Sequence, residues 1–447
     1  MNKRLAWTTL ALALAAAAPV RAMSLAEAWQ ASLAHDPQYR AAGHERDVAR
    51  EGVGVARAGA LPSVNLQVSR SYVTGDREFG NSLNQTVRTP LDYEAPQTTL
   101  QARMPLFNDE VRARIDQAQA QAGAADAQYR SRRQELVDRL GTAYLAALLA
   151  QDNLQLARTQ VEQARVQVDR AQRRLAQGEG TRTEALQAEA ALTLARSRER
   201  EATDQVAVAL RDLQRITGQP LPGLKFSLEG LKPMAPEPAG LEAWLALALR
   251  QNPALEVKAQ QIEAARQGVR RNRAGHLPRL DGVATLAQSS NESISSLNQK
   301  SNTQSVALQL TVPLFSGFGV QSGVRQAEAD EQRVREEARA LGEALELEVQ
   351  RQYMAMQTGV GRIAAQEAAV AAQQMAVHAA QRSVDEGVGA LANVLEAQAL
   401  YFRALRDLAQ VRQEYLLARL RLQAQAGTAT DQVVQDIDRQ LLPRATP

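Results

Sequence analysis

The sequence predicts an α+β membrane protein, in which a few amphipathic strands join those of identical chains in a β-barrel and continue into very long coiled-coil helices. Three observations predict it. The chain is written twice, short stretches in each half alternate apolar and polar residues, and long proline-free stretches keep a heptad seam.

The 447 residues are 45% hydrophobic, 4% aromatic and 23% charged, with no cysteine. So few aromatics disfavour two ordinary compact domains. The lack of cysteine excludes disulfides, thiolate metal sites, cysteine nucleophiles and N-terminal lipidation. Lys3, Arg4 and Arg21 account for the formal charge of +3, and without them 49 basic residues face 49 acidic ones. Bulk charge therefore gives no support to nucleic-acid binding.

Residues 1–22 read as a secretory signal peptide: basic Lys3-Arg4, an apolar run from Leu5 to Ala18, and a Val20-Arg21-Ala22 cleavage site. The run is shorter than the ~20 residues that span a bilayer. The chain is then expected to start at Met23, without a lipid-bearing cysteine. Leu140 to Ala150 and Leu241 to Leu249, the most apolar later stretches, reach only about half of a helical span. A chain of this kind leaves the cytoplasm and is either soluble or held in a membrane by β-structure.

The duplication sets the domains. Asp36-Pro37 recurs as Asn252-Pro253, and Arg57-Ala58-Gly59-Ala60-Leu61-Pro62 as Arg273-Ala274-Gly275-His276-Leu277-Pro278, both at an offset of 216. Met104-Pro105-Leu106-Phe107 matches Val312-Pro313-Leu314-Phe315 at 208, and Gly178-Glu179-Gly180 matches Gly387-Val388-Gly389 at 209. Conserved order at a nearly constant offset defines repeats over 23–219 and 241–430, a Pro-rich connector over 220–240 and a tail over 431–447.

Each repeat predicts helix, strand, loop, strand, very long helix, glycine turn, helix. Val64, Leu66, Val68 and Tyr72 alternate with Asn65, Gln67, Ser69 and Ser71, and residues 98–104 continue the pattern. In the second repeat Val306, Leu308, Leu310 and Val312 oppose Ser305, Ala307, Gln309 and Thr311, while 279–287 alternates poorly. Period-two alternation with small polar partners fits a strand between lipid and water. Gly75 to Pro96 and Gln288 to Asn302, rich in Asn, Ser, Thr and Gly, read as surface loops. Tyr72, Phe79, Tyr93, Phe107, Phe315 and Phe318 lie near the strands and suggest interfacial girdles.

Asn108 to Ala176 contains no proline, and such a helix would be about 100 Å long. From Leu136 through Leu140, Ala143 and Ala147 to Ala171 and Leu175, apolar residues recur in steps of three and four. Met356, Ile363, Val370, Val377 and Val384 repeat every seven. These are coiled-coil seams, and their alanines allow close helix approach.

Four strands cannot close a barrel, and an open sheet edge in lipid leaves backbone groups unpaired. Two copies would supply 8 strands, roughly the number at which side chains fill the interior; three would supply 12 and leave room for water. The small polar residues of 63–73 favour three. Each strand pair leaves and returns on one side, so the helices hang together there.

Leu-Pro before a strand, Pro-Leu-Phe after its partner, a long helix and Gly-x-Gly before Leu-x-Ala, all occurring twice, resemble the TolC family of trimeric outer-membrane channels. The resemblance covers the mature chain to about residue 430. It implies a homotrimer in outer-membrane lipid of a Gram-negative bacterium, with a 12-stranded barrel continuous with an α-helical periplasmic tunnel. It further implies a periplasmic adaptor and an inner-membrane ABC or RND transporter as partners, in type I secretion or multidrug efflux. The family closes its periplasmic end with helix tips, which places the tips and adaptor docking here at Gly178, Gly180, Gly387 and Gly389. A ring of acidic residues typically follows the second turn; Asn393 and Glu396 occupy the matching positions, with Glu184 and Gln187 in the first repeat. Only Glu396 is acidic after the second turn, and Gly389 and Val384 stand where some relatives carry an arginine–tyrosine latch.

No enzyme is expected. His35, His44, His276 and His378 lack metal spacing, Gly52-Val53-Gly54 lacks the rest of a dinucleotide fingerprint, and no P-loop occurs, so neither metal nor cofactor is predicted. The alternative reading is a periplasmic coiled-coil adaptor bridging a transporter to another outer-membrane component, which would leave the duplicated strands unexplained.

Overall fold

The computed structural model describes residues 22–447 apart from 81, 83, 84, 222, 292–298, 430 and 444–447. The predicted signal peptide, up to residue 21, lies outside the described residues.

Helices α1 (Leu25–His35) and α2 (Pro37–Ala58) lead into strands β1 (Ser63–Gly80) and β2 (Thr86–Phe107), then helices α3 (Asp109–Ala176) and α4 (Arg182–Thr217). After the short strand β3 (Phe226–Ser227), α5 (Leu241–Gln251) and α6 (Pro253–Arg273) lead into β4 (Arg279–Asn291), β5 (Gln299–Thr311), α7 (Gly319–Asp385) and α8 (Leu391–Gln425). Helix α9 (Asp431–Gln440) and strand β6 (Leu442–Pro443) end the described chain.

The recurring sequence landmarks are the breaks between elements. Asp36 accepts from the Tyr39 amide at 2.7 Å, and Asn252 from the Ala254 amide at 2.8 Å. Pro37 and Pro253 follow as first helical residues, where a missing N–H costs nothing. At the far ends of α2 and α6 the amides of Leu61 and Leu277 bond back to Ala58 and Ala274, and Pro62 and Pro278 separate helix from strand.

The described residues form two compact units. The first gathers the described residues up to His44, those of Ala127–Glu256 and those from Ala340 onward. Its core contains most of the first predicted seam: Leu136, Leu140, Ala143, Ala147, Ala150, Ala157, Val161, Ala164 and Ala171 are buried, as are Met356 and Ile363 of the second, while Leu154, Val168, Val370, Val377 and Val384 are half-buried. Leu175, the last seam position, is 40% exposed. Helices α3 and α8 approach closely at Gly141, since a Cβ there would lie 2.8 Å from Leu420 of α8. The tail is part of this core. Val433, Val434 and Ile437 of α9 are buried, and β6 pairs antiparallel with β3. The Trp29 indole donates to Asp431 at 2.7 Å, and Arg133 pairs with the same carboxylate at 2.8 Å. Asp438 accepts from the amides of Leu25 and Ala26 at 3.0 and 2.9 Å, so α9 caps the N-terminus of α1.

The second unit, Glu45–Asp126 and Val257–Arg339, holds a four-stranded sheet in the order β1-β2-β4-β5, all antiparallel. The register puts Val64, Leu66, Val68, Leu100, Ala284, Leu286, Val306, Leu308 and Leu310 on one side. Asn65, Gln67, Ser69, Gln101, Thr285, Ser305 and Gln309 lie on the other. The apolar side is uncovered: Val306 is 88% and Leu308 73% exposed.

The sheet departs from the sequence expectation in two places. Gly75–Gly80 and Thr86–Pro96 are strand and not loop, because β1 and β2 stay paired from Ser63–Arg103 to Gly80–Thr86. Strands β4 and β5 likewise take in 288–291 and 299–302, and 292–298 lie outside the described residues. Among the described residues β2 pairs with β4 only as far as Gln97–Ser289. Pro90 and Pro96 lie beyond that point, where one edge of β2 is free and a missing N–H can be tolerated. The expected girdle also divides, since Tyr93 pairs with Val73 and lies on the side opposite Tyr72. The Phe79 side chain lies outside the described residues.

Candidate functional site

The two glycine turns join α3 to α4 and α7 to α8, and both are built alike. Gly178 bonds to the Leu175 carbonyl at 3.1 Å and Glu179 to Arg174 at 2.9 Å; Gly387 bonds to Val384 at 3.1 Å and Val388 to Ser383 at 2.9 Å. This pair of bonds is the Schellman ending, which needs a left-handed residue. Gly178 and Gly387 supply it with φ of 77° and 78°. Gly180 and Gly389 serve space instead, since Cβ atoms there would sit 3.1 Å from Arg174 and 2.9 Å from Ser383.

The helices leaving the turns start differently. Thr181 accepts from the Glu184 amide at 3.2 Å, while the Glu184 carboxylate accepts from the Thr181 amide at 2.9 Å. Glu184 is thereby committed to a capping box, a role that Thr-x-x-Glu signals in sequence. Ala390 heads α8 without a side-chain cap.

Behind the turns, Ala171, Ala185, Ala188, Leu391 and Val394 form one small core, with Val168, Val384 and Leu395 against it. The structure therefore brings both tips together. A shallow groove beside this core is lined by Arg170, Arg174, Glu184, Gln381 and Asp385. Gln187, Asn393 and Glu396 are exposed and stand outside that lining. Asn393 and Glu396 are three residues apart in α8 and so share one helix face.

A second polar site lies at the base of the sheet. Asp281, 5% exposed, pairs with Arg103 at 2.6 Å on the polar side. No sequence pattern singled out this pair, because its members are 178 residues apart.

Among the described residues no helix is long and apolar enough to cross a membrane. An amphipathic four-stranded sheet, together with helices of 68 and 67 residues in the same chain, is the make-up of an outer-membrane channel subunit. Comparison with known proteins agrees. Residues 28–219 and 244–428 match the outer membrane efflux protein family. The proteases secretion protein PrtF of Dickeya chrysanthemi is 35% identical over 97% of this chain and 94% of its own length. The alkaline protease secretion protein AprF of Pseudomonas aeruginosa is 31% identical over 100% of this chain and 93% of its own. The solved structure of CusC, 18% identical, has the same fold, with a TM-score of 0.78 over 90% of this chain and 92% of that one.

The chain belongs to the outer membrane efflux protein family. It is an export channel of a Gram-negative outer membrane with a periplasmic tunnel, a transport component and not an enzyme. The reading as a bridging adaptor is not favoured.

Proposed function

We propose that three copies of this chain close a 12-stranded barrel and that the channel exports a secreted protein, of the protease class, in a type I system. The observation that carries the barrel is the sheet itself. It has an uncovered apolar side, a polar side and two edge strands, β1 and β5, whose outer edges no other strand pairs among the described residues. In lipid those edges must pair with another copy, since each unmatched backbone group costs several kcal/mol. The polar sides then face the axis and form a wet lumen.

The helix tips lie at the periplasmic end. The groove with Arg170, Arg174, Glu184 and Asp385 offers both charges to a periplasmic adaptor, which couples the channel to an inner-membrane ABC transporter. An RND transporter with small-molecule cargo would use the same conduit. The protein cargo is favoured by the nearly full-length likeness to two proteins named for protease secretion. Three Glu396 carboxylates, with Asn393 a turn away, form the constriction and favour cations. Glu184 contributes less to such a ring, because its carboxylate is held by Thr181.

Deleting the gene and comparing the extracellular proteome with drug susceptibility tests the cargo. Loss of a secreted protein with unchanged drug susceptibility is expected. Unchanged secretion with heightened drug sensitivity would overturn the protein-export reading.

A further inference from the structure

Strand β1 changes the polarity of its two sides partway along its length. From Ser63 to Tyr72, ten residues, the side bearing Val64, Leu66 and Val68 is apolar apart from Arg70 near the end of the stretch, and the side bearing Asn65, Gln67 and Ser69 is polar. Ten residues is about the length of a tilted strand that spans a bilayer. Around Tyr72, whose partner across the strands is Glu94, the assignment reverses. The formerly apolar side now carries Asp76, Glu78, Arg88, Asp92 and Glu94, all exposed. The formerly polar side now carries Val73, Val87, Leu91 and Tyr93, all half-buried.

The charges on the first side are matched across the strands. Arg70 holds Glu94, Arg88 holds Asp76, and the Tyr72 hydroxyl donates to Asp92. A ladder of paired charges belongs in water, so this part of the hairpin stands clear of the lipid. On the other side, among residues whose side chains are described, Arg77 is the only charge. It pairs with Thr89, one step beyond Leu91.

We propose that the distal half of the first hairpin is an interface between copies of this chain: Val73, Leu91 and Tyr93 of three subunits meet in an apolar collar above the barrel mouth. The inference rests on the trimeric barrel proposed above, because only that arrangement turns this side of every subunit toward one axis. Reach permits it. Eleven strand pairs lie beyond the last pairing with β4, which is about 35 Å of hairpin. Twelve strands about 4.8 Å apart and tilted about 40° give a barrel radius of roughly 12 Å. Polarity argues for a self-contact. The side is apolar only where lipid has ended, and an uncovered apolar surface in water is stabilised by packing against its own symmetry mates.

The chain has no cysteine, so single cysteines test the geometry directly. Leu91→Cys and Asp92→Cys are neighbours on opposite sides of β2. In full-length protein purified from outer membranes in detergent, mild oxidation should link Leu91→Cys chains at least tenfold faster than Asp92→Cys chains. Tyr93→Cys should behave as Leu91→Cys, so a single poorly expressed variant does not decide the outcome. The mass of each sample is measured before oxidation. Trimers in which all three cysteines link equally, or none links, overturn the collar alone. A monomeric protein overturns the collar together with the barrel.

Discussion

Asp438 joins the two ends of the described chain, and its removal has a calculable effect. Its carboxylate accepts from Leu25 and Ala26, two of the amides that open α1. Ser24 and Glu27 make a separate capping box there, which survives the substitution. Losing a helix-capping carboxylate typically costs about 1–2 kcal/mol. At about 1.36 kcal/mol per factor of ten, Asp438→Ala should speed hydrogen exchange in the first turn of α1 roughly 5- to 30-fold. Exchange along the seam of α3 should stay as it was. Acid adds a second test. Burial pushes the Asp438 carboxyl above its ordinary value of 3.8, and the two amide bonds offset this only in part. An acid whose folded pKa is raised holds its proton more tightly in the folded state than in the unfolded one. Its contribution is therefore fully present below about pH 3.8 and is lost as pH rises through the folded value. Relative to Asp438→Asn, the natural protein should lose stability as pH climbs from 3 toward neutrality. Less than a twofold change in exchange, or a pH slope of opposite sign, would refute the assignment of Asp438 as a buried cap.

Three further outcomes follow from the geometry. Leu308→Arg puts a charge on the uncovered apolar side and should cost about 2–4 kcal/mol per copy at the bilayer midplane, whereas Ser305→Arg on the polar side should be tolerated. The yield of heat-modifiable protein in outer-membrane fractions measures both. Glu396→Ala should raise single-channel conductance and weaken cation selectivity in a planar bilayer, and unchanged values would remove the constriction at α8. Gly387→Ala forces a side chain to φ of 78° and should cost about 1–2 kcal/mol, while Gly361→Ala, with open space in α7, should stabilise by up to about 1 kcal/mol; thermal melts of the two variants separate them.

The helices were legible because their signal repeats. The seam from Leu136 to Ala171 is buried except at Leu154 and Val168, which are half-buried, and at the tip Leu175 is exposed. The breaks at Asp36 and Asn252 were legible as pairs, although their capping bonds were not. The strands were legible where one side stays apolar but for Arg70, from Val64 to Tyr72, and then were lost. Beyond Tyr72 the apolar residues change sides, so a window that expects one constant phase sees Gly75, Asp76 and Pro90 as a loop. The tail was illegible for a different reason: Asp438 and Asp431 act on partners 413 and 402 residues away. At the tips the glycines announced both turns. The capping role of Glu184 was present in Thr-x-x-Glu, but the likeness to an acidic ring drew attention to its charge.

The central claim is that this sheet is one third of a shared wall. Native mass measurement of the detergent-extracted protein, with the detergent removed in the gas phase, tests it most directly. The account predicts a single species at three times the protomer mass that persists on dilution. A protomer-sized species from the same outer-membrane extract would contradict it.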